Sequence, residues 1–190
     1  MESKRDKLVD ATKALLWQVG YESMSPRRIL DESGAGQGSL YHHFKGKLDL
    51  AAVVLGEIEK EMKEEFDVIF DMDIAPLERI HRYLSVQRSG LKGCRLGRLA
   101  NEQAIREDKL RDPIASYFGY VEKKVENALR EAINTGDLPA DIDPAQIALT
   151  IISSVQGGYI LSKVHSDPTH VRKATAGAGV LLRMLSRKAN

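Results

Sequence analysis

The feature that most limits what this chain can become is the spacing of its apolar residues, which recur at three and four positions along nearly the whole sequence. No convincing stretch alternates with a period of two, so an all-α fold is expected. Pro and Gly fall between the periodic stretches or at their edges, where helices start and stop. About nine helices are expected. Leu8, Ala11, Leu15 and Val19 set the first over about 4–19, with Gly20 as the left-handed residue behind it. Ser25 as N-cap and Pro26 at the first helical position start the second, which Gly34 ends. Only Ala35 and Gly36 precede a third, 37–44, and two short helices about a tight Gly-bounded turn form a helix-turn-helix pattern. A long helix from Lys47 follows, with a stripe from Leu48 through Ala51, Leu55, Ile58, Met62 and Phe66 to Ile69. Further helices are expected over about 76–89, 95–106 and 112–135, from Asp143-Pro144 to about His165, and from Asp167-Pro168 to about Arg187. The division expected is a three-helix head over 1–47 and a helical body over 48–190.

Net charge is only +1, so a bulk positive field is excluded as the basis of any nucleic-acid affinity. The first 47 residues hold eight Lys/Arg against six Asp/Glu, an asymmetry of the right sign but small size. Placed at about 100° per residue, Leu40, His43 and Phe44 of the third helix fall on its inner side. Gly38, His42 and Lys45 fall opposite, with Ser39 and Tyr41 flanking. Gly38 permits close backbone approach, Gln37, Ser39 and His42 can reach base edges or phosphates, and Tyr41 can donate to a phosphate oxygen. Ser25, Arg27 and Arg28 start the second helix and Lys47 starts the fourth, placing phosphate-binding groups on both sides. Double-stranded DNA is the expected partner of this face. His43 is expected to be structural.

These residues carry a family resemblance. Gly20-Tyr21-Glu22-Ser23-Met24-Ser25, Ile29, Gly34, and above all Gly38 to Leu48, resemble the DNA-binding head of the TetR/AcrR repressors. Gly93-Cys94-Arg95-Leu96-Gly97 and Val155-Gln156-Gly157-Gly158-Tyr159 resemble a multidrug-responsive subgroup. The resemblance implies a homodimer, an operator with two-fold symmetry and an effector cavity in each body. Gly36 stands where that family usually has a Ser or Thr cap, and Gln37 where Lys is common. One charged phosphate contact is therefore missing, and a shallower salt dependence is expected.

In the body, an effector pocket is expected from Met62, Phe66, Cys94, Leu96, Tyr117, Phe118, Val121, Gln156 and Tyr159, a mixture suited to an apolar small molecule with a few polar handles. A dimer seam is expected from Ile151, Val155, Val171, Ala174, Gly177, Ala178, Leu181 and Leu185, in which small residues let a second helix approach. The acidic run Glu57 to Glu65, with Lys60 and Lys63 interleaved, reads as a solvated face with local ion pairs. No catalytic constellation, cofactor motif or metal-ligand spacing appears, so a regulator rather than an enzyme is expected. The alternatives are control by a protein partner instead of a ligand, and a helical enzyme or carrier with a vestigial head. Cys94 is the only cysteine and reads as a small apolar residue. No signal-type N-terminus appears, and Ile147 to Leu161 is broken by Thr150, Ser153, Ser154 and Gln156, so a cytoplasmic chain without a membrane span is expected.

Overall fold

The computed structural model describes residues 3–186, and the expected end of the last helix at Arg187 lies outside them. Eight α-helices and two 3-10 turns make up the described residues, and no strand occurs among them. The helices are α1 (Lys4–Gln18), α2 (Pro26–Ser33), α3 (Gln37–His43), α4 (Lys47–Phe70), α5 (Pro76–Ser85), α6 (Asp108–Asn134), α7 (Pro144–Val164) and α8 (Thr169–Ser186). The ninth expected helix, over 95–106, is two 3-10 turns, Gly97–Asn101 and Gln103–Arg106. Leu96, Leu99 and their neighbours have helical spacing, but the chain is tied down here by its polar side chains, as described below. Two boundaries also move. The fifth helix stops at Ser85, where Val86 turns extended (φ −54°, ψ 134°). The sixth begins at Asp108, not Asp112, and tolerates Pro113 inside it. That proline removes only one backbone donor, close to the end where donors are already free.

The chain divides into two compact units. One is the segment ending at Met62 with Arg95–Tyr117; the other is Lys63–Cys94 with the segment from Phe118 onward. Helix α4 runs unbroken from Lys47 to Phe70, and the 3-10 turns belong with the N-terminal segment.

In the first unit α1 packs on α2 and α3. Ser3 caps α1 through a reciprocal pair: its hydroxyl accepts the Asp6 N–H at 3.1 Å, and its own N–H donates to the Asp6 carboxylate at 3.2 Å. Leu8, Leu15, Leu16, Met24, Ile29, Leu40 and Leu50 are fully buried. Val9, Thr12 and Leu16 join the expected α1 stripe, while Val19 lies past the helix end and is only half-buried. The acidic face of α4 does not serve local pairs alone. Glu57 and Glu61 lie 3.0 and 2.6 Å from the Lys13 ammonium, and Arg95 reaches Glu61 at 3.1 Å.

In the second unit α7 and α8 pack along one another, and α5 packs on α8. The α7–α8 crossing depends on Gly158, where a Cβ would stand 2.7 Å from the Val171 Cα. The buried Ser162 hydroxyl accepts the Val171 N–H at 3.1 Å and fixes the same crossing. Phe66, Phe70 and Tyr83 form an aromatic cluster, with Phe66 and Phe70 stacked at 4.1 Å and Tyr83 edge-on to Phe66 at 5.2 Å. At 21 residues, and with a mean hydropathy of 1.3 over 18 of them, α7 is long and apolar enough to cross a bilayer by length and composition. The core helix of a water-soluble bundle meets the same criterion, and α7 packs along α8.

The Asp167 carboxylate accepts both the N–H and the hydroxyl of Thr169, the first residue of α8, at 2.8 Å each. These bonds hold its pKa down at about 2, against 3.8 for an ordinary aspartate. A depressed acid contributes stability above its unfolded pKa and loses it as the proton binds. The start of α8 is therefore expected to loosen only as pH falls from 3.8 towards about 2. Carboxyl-carbon NMR should give an Asp167 midpoint near 2; a midpoint at 3.8 would remove these bonds from solution.

Candidate nucleic-acid interface

The N-cap of α2 is Ser25, whose hydroxyl accepts the Arg28 N–H at 3.2 Å. Pro26 follows, and Gly34 ends the helix in the left-handed region at φ 62°. The next helix, α3, starts at Gly36 with no side-chain cap, which matches the missing Ser or Thr read from the sequence. Leu40 is its one fully buried residue, and it anchors the helix against α1. The opposite side is free: Gln37, Gly38, Tyr41, His42 and Lys45 are exposed and Ser39 half-exposed, with Tyr41 at 60%.

One inner-face assignment fails. His43 is exposed, although the helical wheel places it beside Leu40. The helix ends at His43, and Phe44 is extended (φ −139°, ψ 144°), so Phe44 enters the core by leaving the helix. Two turns are too short for neighbours to cover more than Leu40. His43 therefore adds to the accessible face, its ring 4.8 Å from that of His42.

Positive groups flank α3 on both sides, but not quite the expected ones. Arg27 shares a shallow depression with Gln37 and Tyr41. On the other side Lys4 lines a depression with Gly38, Ser39, His42 and His43. The Lys4-Arg5-Lys7 cluster was the signal available in the sequence for that second support. Arg28 is exposed at the first turn of α2. Lys47 is placed differently. Its ammonium donates to the carbonyls of Tyr21 and Met24 at 2.9 and 2.8 Å and sits 4.0 Å from the Tyr21 ring centre. Burial pushes its pKa down, against the opposing pull of Glu102 and Glu22. The side chain fastens the α1–α2 turn to α4 and is not aimed outward at a phosphate.

The same turn has a second fastener that sequence reading missed. The Glu102 carboxylate accepts the Tyr21 N–H at 3.2 Å and the Glu22 N–H at 2.7 Å, and Glu22 in turn accepts the Ala104 N–H at 3.2 Å. The Arg98 guanidinium donates to the Trp17 carbonyl. Together with the Arg95–Glu61 pair, the 95–106 segment holds α1, its following turn and α4 in one arrangement.

The expected pocket residues divide between the units. Met62, Leu96 and Tyr117 belong to the first; Phe66, Cys94, Phe118, Val121, Gln156 and Tyr159 belong to the second. Phe66, Cys94, Leu96, Tyr117 and Val121 are buried, and Met62, Phe118, Gln156 and Tyr159 half-buried. Within the second unit Tyr159, Cys94, Tyr83 and Arg88 lie near enough to act on one another electrically. Burial pushes the Tyr159 phenol up to about 12, with Cys94 adding to the rise. Of the expected dimer residues, Val155 and Val171 are buried inside the chain's own second unit, at 2% and 1% exposure, and cannot face a partner. Their spacing marks the internal α7–α8 contact. Ala174, Gly177, Ala178, Leu181 and Leu185 line a groove on the surface of the same helix pair, with Ile151, itself buried at 3% exposure, at its base.

Residues 8–54 match the family described as bacterial regulatory proteins, tetR family, and residues 75–178 match the tetracyclin repressor-like C-terminal domain. An HTH-type transcriptional regulator in the lacX 3' region of Lactococcus lactis is 29% identical over 174 residues, covering 88% of this chain and 87% of its own length. The transcriptional regulator AcuR of Cereibacter sphaeroides is 26% identical over 185 residues, covering 93% and 84%. The crystal structure of a regulatory protein TetR from Rhodobacter sphaeroides superposes with a TM-score of 0.79 at 26% identity, covering 91% of this chain and 95% of that one. With both matched segments in chain order and a reading helix exposed in the first, this chain belongs to the TetR family and is a DNA-binding transcriptional regulator, not an enzyme.

Proposed function

We propose that the protein is a cytoplasmic homodimeric repressor that binds a palindromic operator and is released from it by a small-molecule effector. The observation behind this reading is the exposed face of α3, where Gly38, Tyr41 and His42 lie open while Leu40 is fully buried beneath them. A helix held on one side and open on the other can enter a major groove, and Arg27 and Lys4 suit the phosphates on either strand. Two such helices about 34–36 Å apart would read successive turns of one duplex face. The groove on α7 and α8 supports the second copy. Leu161, Leu181 and Met184 are 46%, 62% and 55% exposed around it, and Ala174, Gly177 and Ala178 permit close helix approach. The aromatic cluster around Phe66, with Tyr159 and Cys94 in the same unit, supports an apolar effector there.

Tyr41→Ala tests the assignment. It removes a phosphate donor from an exposed position, so operator affinity should fall about 10- to 100-fold, the cost of one charge-assisted bond. Sedimentation should give the dimer mass for both proteins. Unchanged affinity in a gel shift would put the reading face elsewhere, and a wild-type monomer would end the homodimer reading.

A further inference from the structure

A second surface feature of the second unit is distinct from the α7–α8 groove. Between α5 and α8 is a cleft of about 670 Å³, a volume typical of small-molecule sites. Its floor is apolar, with Leu84 and Val171 buried and Val86 and Val180 partly exposed at the rim. None of the lining residues is acidic, and three are arginines. Arg88 is spent on the end of α5, donating to the carbonyls of Tyr83, Leu84 and Val86. Arg172 and Arg183 have no acidic partner among the described residues. Gly179 lets two polar nitrogens converge: its missing side chain leaves the His81 Nδ1 at 3.5 Å and the Arg183 Nη1 at 3.7 Å from where a Cβ would be. Burial, with the Arg183 charge, pushes the His81 pKa down, and the nearby Glu78 is held by Arg82 at 3.0 Å. The His81 imidazole and the Arg183 guanidinium, the latter without an acidic partner among the described residues, thus stand at one end of an apolar trough.

We infer that this cleft binds an amphipathic organic carboxylate, its head between His81 and Arg183 and its apolar body along Leu84 and Ala176. Guanidinium geometry suits a carboxylate, no acidic residue lines the cleft, and Glu78 beside His81 is neutralised by Arg82. At about 100° per residue, Arg172, Ala176, Gly179 and Arg183 lie on one flank of α8. Ala174, Ala178 and Leu181 lie on the other, so a partner in the α7–α8 groove leaves the cleft open. The site does not rest on the effector reading, since none of the nine residues expected to line that pocket lies in it.

Calorimetric titration of the full-length protein with decanoate tests this. Wild type should bind one decanoate per chain and bind decanol at least tenfold more weakly. Arg183→Gln should weaken decanoate at least tenfold and leave decanol unchanged. Ala176→Trp, filling the trough from an exposed position, should abolish both. Circular dichroism and operator binding of the unliganded variants should match wild type. Equal decanoate affinity in wild type and Arg183→Gln, or no binding by wild type, would overturn the site.

Discussion

Replacing Gly20 by alanine is expected to destabilise the N-terminal unit by about 2–3 kcal/mol, read as a shift in the urea midpoint at constant slope. Two effects combine. Gly20 has φ 84°, a left-handed conformation that costs an alanine about 1–2 kcal/mol. The new Cβ would also collide with Glu102 Oε1. The carboxylate is the end of a flexible side chain and can swing aside, but it then gives up the Tyr21 and Glu22 N–H groups. Each bond to a charged acceptor is worth about 1.5–3 kcal/mol in a sheltered place and less here, where water replaces part of it. The partner experiment is Glu102→Ala. If the carboxylate is already displaced in Gly20→Ala, adding Glu102→Ala should cost far less than it does in wild type, a non-additivity of about 1 kcal/mol. Additive costs, or a Gly20→Ala change below about 0.5 kcal/mol, would show that Glu102 does not brace this turn.

Gly38→Leu is expected to abolish operator binding while leaving the head as stable as before or more so. A Cβ at Gly38 meets nothing within 4 Å, so the fold has room for it. Leucine is also the better helix former by up to about 1 kcal/mol. The cost falls entirely on the complex. Gly38 lies at the centre of the exposed face, between Gln37 and His42, where close backbone approach is the contact a glycine offers. A four-carbon side chain there should hold the helix off the base edges. A loss of at least about a hundredfold, roughly 2.7 kcal/mol, is expected in fluorescence anisotropy with a selected operator fragment. Wild-type affinity in a folded Gly38→Leu protein would mean that Gly38 faces solvent and not DNA.

Much of the head was legible because its signals are local. Ser25, Pro26 and Gly34 fix α2 through bonds and backbone angles within a few residues. Leu40 buried and Tyr41 and His42 exposed follow from helical periodicity alone. The reading of His43 failed for a physical reason too: periodicity holds only while the helix continues, and the change at Phe44 to extended backbone is a matter of where its ring finds a core. Lys47 looked outward by position. Two carbonyls and an aromatic face, brought to it by the turn after α1, recruit it inward.

What the amino-acid order determined by itself is the eight α-helices to within a few residues, the caps at Ser25 and Asp143 and the open side of α3, since each depends on residues no more than about a turn apart. Tertiary structure decided the rest. Lys13 meets Glu61 48 positions away, and Glu102 meets Tyr21 and Glu22 across 81 and 80. It also decided that Val155 and Val171 belong to an internal crossing instead of an outer seam. A carboxylate has no periodicity that names its partner, and an apolar residue does not encode which of two surfaces will cover it; only the packed chain resolves both.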